Sequence, residues 1–269
     1  MRAIALVITF CLTAMPLWAD ARVTVLMDAL RLPDLVQTIR AEGLRDAQAI
    51  NEDMLDGQGG PFWEAQVHAL YDPVVMTDVL FRALQQGLDD DALDAAVTFF
   101  DSLRGQRIME MEIAARQAMM DEAVQDASIE TYDTLAKAND PHAVLVAQFV
   151  QTNDLLELNV AVAMSSSYQF YRGMADGGLL KSSESDILSD VWASEGTVRN
   201  EARDWLFGYF MLAYQPLDLA DLQAYLAFSE SPAGQALNTA LIFGSETMFK
   251  DIAYGLGRAV AMNAVGNDI

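Results

Sequence analysis

The feature that most constrains this chain is an eight-residue pattern, Phe-x-x-Ser-x-x-Gly-Gln, that occurs twice. Its fixed positions, with one proline specific to the second copy, are Phe99, Ser102, Gly105, Gln106, Phe228, Ser231, Pro232, Gly234 and Gln235. The copies begin at residues 99 and 228 and are therefore 129 residues apart. The same offset carries Trp63 onto Trp192 and Met119 onto Met248 without a gap. A register held over this length predicts a duplicated structural unit.

The repeated pattern is interpreted as a helix corner. Ser102 and Ser231 are residues suited to cap the start of a helix, and Pro232 takes the first helical position, where proline is tolerated. A glycine three residues later costs about 1 kcal/mol relative to alanine in a helix interior. Its presence therefore predicts that a neighbouring backbone passes too close for a side chain. A functional alternative is that the serines and glutamines of both copies line a pocket.

The hydrophobic spacing predicts an all-α fold. Apolar residues recur at steps of three and four along almost the whole chain, which is typical of amphipathic helices. Asp72 and Asp89 are predicted helix caps. One helix is expected from Leu103 to about Ala127, with Glu112 and Arg116 as a pair one turn apart.

Two halves of similar plan are expected, with a break at Asn139-Asp140-Pro141. The sequence predicts two tandem homologous helical bundles, residues 20–139 and 140–269, related by a pseudo-twofold axis. A unit whose amphipathic helices leave one face apolar can bury that face against its own copy. The expected state is thus a monomer that contains an internal pseudo-dimer.

Residues 1–19 are predicted to be a signal peptide. Arg2 precedes an apolar run over residues 3–12, and small residues follow, in the order of a charged region, an apolar region and a cleavage site. Cleavage is expected after Ala19 or Ala21. The single cysteine, Cys11, would leave with the signal. No second long apolar run follows, so the mature chain is expected to lack a transmembrane segment and to reside in a bacterial periplasm or the medium.

The charge of the chain argues against some classes of partner. Asp and Glu number 39 against 16 Lys and Arg, which gives a net charge of −23. A protein that binds nucleic acid needs a basic surface, so nucleic acid is not expected as a partner. The acidity is typical of a solvated exterior.

No catalytic or metal-binding constellation is evident. The chain has two histidines, and neither has a nucleophile or a third partner at an identifiable spacing. The clustered methionines Met109 and Met111 point to different sides of a helix and cannot converge on a copper ion. Glu110 and Glu112 fail the same geometric test as a catalytic pair. We therefore expect neither an enzyme nor a bound cofactor or metal.

The second copy of the corner, Phe228 to Gln235, preceded by an acidic cap and Leu222, resembles the signature of a bacterial family of exported helical proteins, domain of unknown function 2059. In the first copy Leu103 replaces the proline, so the second copy is the better match. The resemblance implies an all-helical fold and a periplasmic setting. It implies no activity and carries no functional residue.

The expected function is a non-catalytic envelope module that binds a protein partner or an apolar ligand between its helices. The candidate ligand pocket is formed by aromatic residues of the second half, namely Trp192, Trp205, Tyr209 and Phe210. Two alternatives stay open. One is an envelope hydrolase that uses scattered carboxylates, and the other is an acidic envelope assembly or stress factor. The sequence identifies neither a ligand nor a partner.

Overall fold

The computed structural model describes the backbone of residues 15–266 and the side chains of residues 20–264. Over this part of the chain the fold is all-helical, without strands. The helices are α1 (Met15–Ala29), α2 (Leu32–Leu55), α3 (Gly60–Leu70), α4 (Pro73–Gly87), α5 (Asp90–Phe100), α6 (Leu103–Ala118), α7 (Glu122–Lys137), α8 (Pro141–Thr152), α9 (Leu155–Asp176), α10 (Glu184–Ala193), α11 (Glu195–Tyr214), α12 (Leu219–Ser229) and α13 (Pro232–Gly266).

Most of the predicted signal peptide, residues 1–19, lies outside the described residues. Its last residues belong to α1, which continues past both predicted cleavage positions to Ala29. Among the helices of residues 15–266, none is both long and apolar enough to cross a bilayer.

Aspartates define the starts of several helices. Asp72 and Asp89 cap α4 and α5, as the sequence predicted, and each accepts a hydrogen bond of 2.8 Å from a backbone N–H of the first turn. Asp121 and Asp140 do the same for α7 and α8. A carboxylate at this position satisfies an otherwise unpaired donor and complements the helix dipole. Part of the chain's acidity therefore serves the local structure.

The single helix predicted from Leu103 to about Ala127 is wrong. The structure ends α6 at Ala118 and starts α7 at Glu122. Asp121 turns the chain by accepting a 2.9 Å hydrogen bond from the backbone N–H of Ala123. The apolar spacing continues across this break, which is why periodicity alone missed it.

Among the described residues, four non-glycine connecting residues share an uncommon backbone conformation, with φ between 50° and 54°: Arg31, Asp56, Asn139 and Asp154. Arg31 joins α1 to α2 with φ of 51°, and Asp154 joins α8 to α9 with φ of 52°. Both are non-glycine residues in the left-handed region, where few such residues occur. Arg31 and Asp154 are 123 residues apart, so they do not share the offset of 129 that separates the two corners.

The two halves of the chain share one core. Helix α4 packs against α13, and α11 packs against α6 and α7, so both contacts cross the junction near residue 140. The buried apolar residues form one connected cluster that extends from Val23 to Val260. Helices of each half therefore bury apolar side chains against helices of the other half.

Candidate functional site

Both copies of the repeated pattern form the same helix corner. Ser102 is the N-cap of α6, and its hydroxyl accepts a 3.1 Å hydrogen bond from Gly105 N–H and donates one of 2.6 Å to Phe99 O. Ser231 makes the equivalent bonds with Gly234 and Phe228, at the same two distances. Each serine thus closes the end of one helix and opens the next.

The glycine and glutamine of each copy also contact backbone. A Cβ atom added to Gly105 would lie 2.3 Å from Phe99 O, and one added to Gly234 would lie 2.1 Å from Phe228 O. The Gln106 amide donates to Phe100 O, and the Gln235 amide donates to Ser229 O. These contacts explain why the pattern requires its residue types, and they are structural.

The two corners meet each other. The rings of Phe99 and Phe228 are stacked with centroids 4.5 Å apart, and Phe100 lies edge-on to Phe228 at 5.3 Å. Tyr225 packs against Phe99 and Phe100 in the same cluster. The repeated phenylalanine therefore joins the halves, and Phe228 also lines a cavity between them.

That cavity has a volume of about 230 Å³ and lies between the two halves. Every residue that lines it is buried or half-buried. Its walls are mostly aliphatic and aromatic, with contributions that include Leu80, Phe100 and Ile113 from the first half and Phe149, Leu155, Leu237 and Met248 from the second. A concave, mainly apolar space with a few polar groups is typical of a small-molecule site.

The cavity walls use matching sequence positions of the two halves. Pairs of lining residues separated by 129 positions are Leu80 and Tyr209, Phe100 and Ser229, Met109 and Asn238, Glu112 and Leu241, and Arg116 and Ser245. The chemical character of the paired residues differs. The members of these pairs that can carry a charge near neutral pH, Glu112 and Arg116, are both on α6.

Of the residues that the structure describes, Glu112 is the one acid among the polar groups that line the cavity. The Tyr214 hydroxyl donates a 2.6 Å hydrogen bond to Glu112 Oε1, and the Tyr209 hydroxyl donates to the Glu112 backbone carbonyl at 3.3 Å. Burial raises the pKa of Glu112 to about 7, although hydrogen bonds from Tyr214 and Tyr225 act in the opposite direction. Glu112 as a whole residue is half-buried, and it lines the cavity.

The tyrosines around Glu112 are protonated across the neutral pH range. Burial is the main cause that raises the pKa values of Tyr209, Tyr214 and Tyr225 well above 10, and the nearby Glu112 charge adds to it. Their hydroxyls can therefore act as donors to the carboxylate.

The predicted pair between Glu112 and Arg116 is wrong. Arg116 instead forms an ion pair with Glu42 of α2, with Nη2 2.8 Å and Nε 3.0 Å from its carboxylate oxygens. The Arg116 guanidinium also lies over the Trp205 ring, 5.5 Å from the centroid. The contacts of Arg116 with other helices are therefore more favourable than an i,i+4 ion pair within α6, which contributes only a few tenths of a kcal/mol.

The predicted pocket residues are only partly brought together. Tyr209 and Phe210 line the cavity. Trp205 stacks on Tyr209 at a centroid distance of 5.0 Å and stands behind the wall. Trp192 lies outside the cavity on α10 and is 69% exposed, whereas Trp63, its predicted counterpart, is 3% exposed. The offset of 129 thus fails at this tryptophan pair.

Sequence reasoning missed Glu112 as a site residue. The test applied to it asked whether it could act together with Glu110, which is exposed. A better signal was its position on the apolar stripe of α6, one turn from the buried residues Ile108 and Met109. A carboxyl among buried positions is uncommon and is a candidate functional group.

The hydrolase alternative required two carboxylates, or His68 with a nucleophile, in one cleft. Among the described residues that line the cavity, Glu112 is the one carboxylate. His68 lies elsewhere, with Nδ1 2.9 Å from the Arg40 guanidinium. In residues 20–264, no three His, Cys, Asp or Glu side chains are grouped so that they could hold a metal ion.

A family model described as an uncharacterized protein conserved in bacteria, domain of unknown function 2059, matches residues 75–130. These residues cover nearly all of α4, the whole of α5 and α6, and part of α7, and they include the first corner. From the sequence alone the second corner resembled this family more closely, yet it lies outside the match. No curated protein and no solved structure matches the chain significantly.

Proposed function

We propose that this protein is a non-catalytic helical module that binds a small apolar ligand in the cavity between its two halves. The observation that carries the proposal is the cavity itself, which has mainly apolar walls and one acid, Glu112, among its polar groups. Protein interiors are close-packed and contain few voids larger than a water molecule. A space of this size with mainly apolar walls is therefore a candidate ligand site.

The volume limits the size of the ligand. A dry cavity of about 150 Å³ lined by apolar residues can hold benzene. The cavity here, of about 230 Å³, therefore suits a molecule of roughly nine non-hydrogen atoms. A medium-chain alcohol such as 1-heptanol is a suitable probe, whereas a full-length lipid chain is too large.

We expect Leu241→Trp to abolish binding of 1-heptanol. Leu241 is a half-buried wall residue on α13, and the larger indole would occupy the ligand's space. Titration calorimetry should show a loss of affinity of at least about tenfold, which corresponds to about 1.4 kcal/mol. The matched control is Leu103→Trp, since Leu103 is 94% exposed and lies outside the cavity.

Equal heptanol affinity in the two tryptophan variants would contradict the proposal. Absence of binding to the unmodified protein would contradict it as well. Circular dichroism of each variant should accompany the titration, because overpacking a wall can cost about 1–3 kcal/mol of stability.

We also propose that the halves are copies of one unit, as the sequence suggested. Support comes from α5 and α12, whose bounds both differ by 129 residues, and from the matching serine caps of the helices that follow them. Residues 140–269 expressed alone should be aggregated or only partly folded, because α11 would lose α6 and α7 and α13 would lose α4. A stable, monodisperse fragment in size-exclusion chromatography would contradict this expectation.

Export to a bacterial periplasm is the proposed location, on the basis of the N-terminal sequence pattern. Cleavage after Ala19 is preferred over cleavage after Ala21, since Asp20 contacts Gln85 of α4 and would be retained. Arg22, which forms ion pairs with Asp90 and Asp94 of α5, is retained in either case. N-terminal sequencing of the protein from a periplasmic fraction tests both points.

A further inference from the structure

We infer that the ligand of the cavity is a small apolar amine, whose protonated nitrogen pairs with Glu112 while its hydrocarbon part fills the space between the halves. This inference rests on the proposed function and adds the chemical class of the ligand. It follows from the charge balance around Glu112, from the aromatic rings beside Glu112 and from the free acceptor positions of its carboxyl group.

The charge balance leaves Glu112 without a cation. Arg116, which lines the same cavity, is held by Glu42 at 2.8 Å, and both side chains are largely buried. No Lys, Arg or His of the described residues lies within ion-pair distance of Glu112 itself. The three side chains together therefore carry one net negative charge when Glu112 is ionised, and a monovalent cation would neutralise it.

The carboxyl group still has capacity to accept hydrogen bonds. A carboxylate has about four acceptor positions, and Tyr214 occupies one of them with its 2.6 Å bond to Oε1. Tyr225 also interacts with the same carboxyl group. At least one position remains for an ammonium N–H, and charge-assisted bonds of this kind are stronger than neutral ones.

The rings around Glu112 favour a cation over a neutral or anionic group. Tyr209, Phe210 and Tyr225 line the cavity, and Phe149 packs against both Phe210 and Tyr225. The faces of such rings attract cations, most strongly where water is excluded. A ligand carboxylate would instead be repelled by Glu112 and by the net charge of −23 on the chain.

Binding would also relieve the cost of keeping Glu112 buried. A carboxylate removed from water is unfavourable unless it is paired, and an ammonium ion in an apolar space is unfavourable for the same reason. Each charge supplies the partner that the other lacks. The hydrocarbon part of the amine gains from contact with the aliphatic walls.

The test compares heptylamine with 1-heptanol, which has the same chain length and differs in its head group. At pH 8 the unmodified protein should bind heptylamine at least about tenfold more tightly than heptanol. Glu112→Gln keeps the side-chain shape and removes the charge. This variant should bind the two probes with similar affinity, because the charge that distinguishes an amine from an alcohol is gone.

The pH dependence gives a second readout. Amine binding requires ionised Glu112, so affinity should rise by about tenfold between pH 6 and pH 8 if the unliganded pKa is near 7. The other ionisable groups that face it are Glu42 and Arg116, which are paired, and Tyr209, Tyr214 and Tyr225, which stay protonated in this range. Heptanol binding should not show this rise.

The outcomes separate the two proposals. If heptanol binds in the cavity and heptylamine binds no better, the amine inference is wrong while the proposed function stands. If neither probe binds, both are wrong. If heptylamine binds equally well to the Leu241→Trp variant, it adsorbs to the acidic surface, and that result overturns the amine inference.

Discussion

Gly105→Ala and Gly234→Ala are each expected to destabilise the protein by about 3 kcal/mol or more. The new Cβ would meet main-chain atoms of the preceding helix, Phe99 O at 2.3 Å in the first corner and Phe228 O at 2.1 Å in the second. Main-chain atoms cannot rotate away as a side chain can, so the corner has to open. Thermal unfolding should show a loss of about 6–12 °C in the midpoint for a chain of this size.

Gly196→Ala is the matched control for the corner variants. Gly196 lies in the first turn of α11, and a Cβ added to it would have no atom within 4 Å. Alanine is the better helix former, so this variant should be unchanged or slightly more stable. If the corner variants unfolded at the same midpoint as this control, the close-approach account of the repeated glycine would be wrong.

Glu112→Gln is expected to raise the unfolding free energy above that of the unmodified chain, and this gain should be larger at pH 8 than at pH 5. The pKa of Glu112 is about 7 in the folded protein and 4.5 for the unperturbed group. Between these values the folded state binds more protons than the unfolded state, so Glu112 lowers stability as the pH rises. The loss amounts to about 2–3 kcal/mol between pH 5 and pH 8.

Glutamine removes this titration and can still accept the Tyr214 hydrogen bond. The difference in unfolding free energy between variant and unmodified protein should therefore widen with pH, by denaturant titrations at pH 5, 6.5 and 8. Glu110→Gln, on the exposed face of the same helix, should show no such widening. A constant difference for Glu112→Gln across the three pH values would mean that burial does not perturb this carboxyl.

Features that depend on a few consecutive residues could be predicted from the sequence. The Asp72 and Asp89 caps follow from the preference of short polar side chains for the first N–H groups of a helix. The all-helical character follows from the spacing of apolar residues. Ser102 and Ser231 lie at helix starts, as predicted, because the hydrogen bonds of each serine are made within its own eight-residue pattern.

Features that depend on contacts between distant helices could not be predicted. The position of Trp192 illustrates this, since the sequence analysis included it in the candidate ligand pocket, whereas α10 presents it to solvent. Arg116 likewise forms its ion pair with Glu42, which is 74 residues away, and not with Glu112 on its own helix. The cavity lies where helices of both halves meet. Its existence depends on how these helices pack together, and the sequence pattern of either half does not predict that packing.

The position of the cavity between matching walls has a consequence for how its specificity can change. In a symmetric homodimer, any substitution in a shared pocket appears on both sides at once, so an acid on one wall faces an acid on the other. Here Glu112 has Leu241 at the corresponding position, and Arg116 has Ser245. Because both walls belong to one polypeptide, one wall can acquire a charged residue while the other stays apolar. A ligand with one polar and one apolar end can then be held in a single orientation.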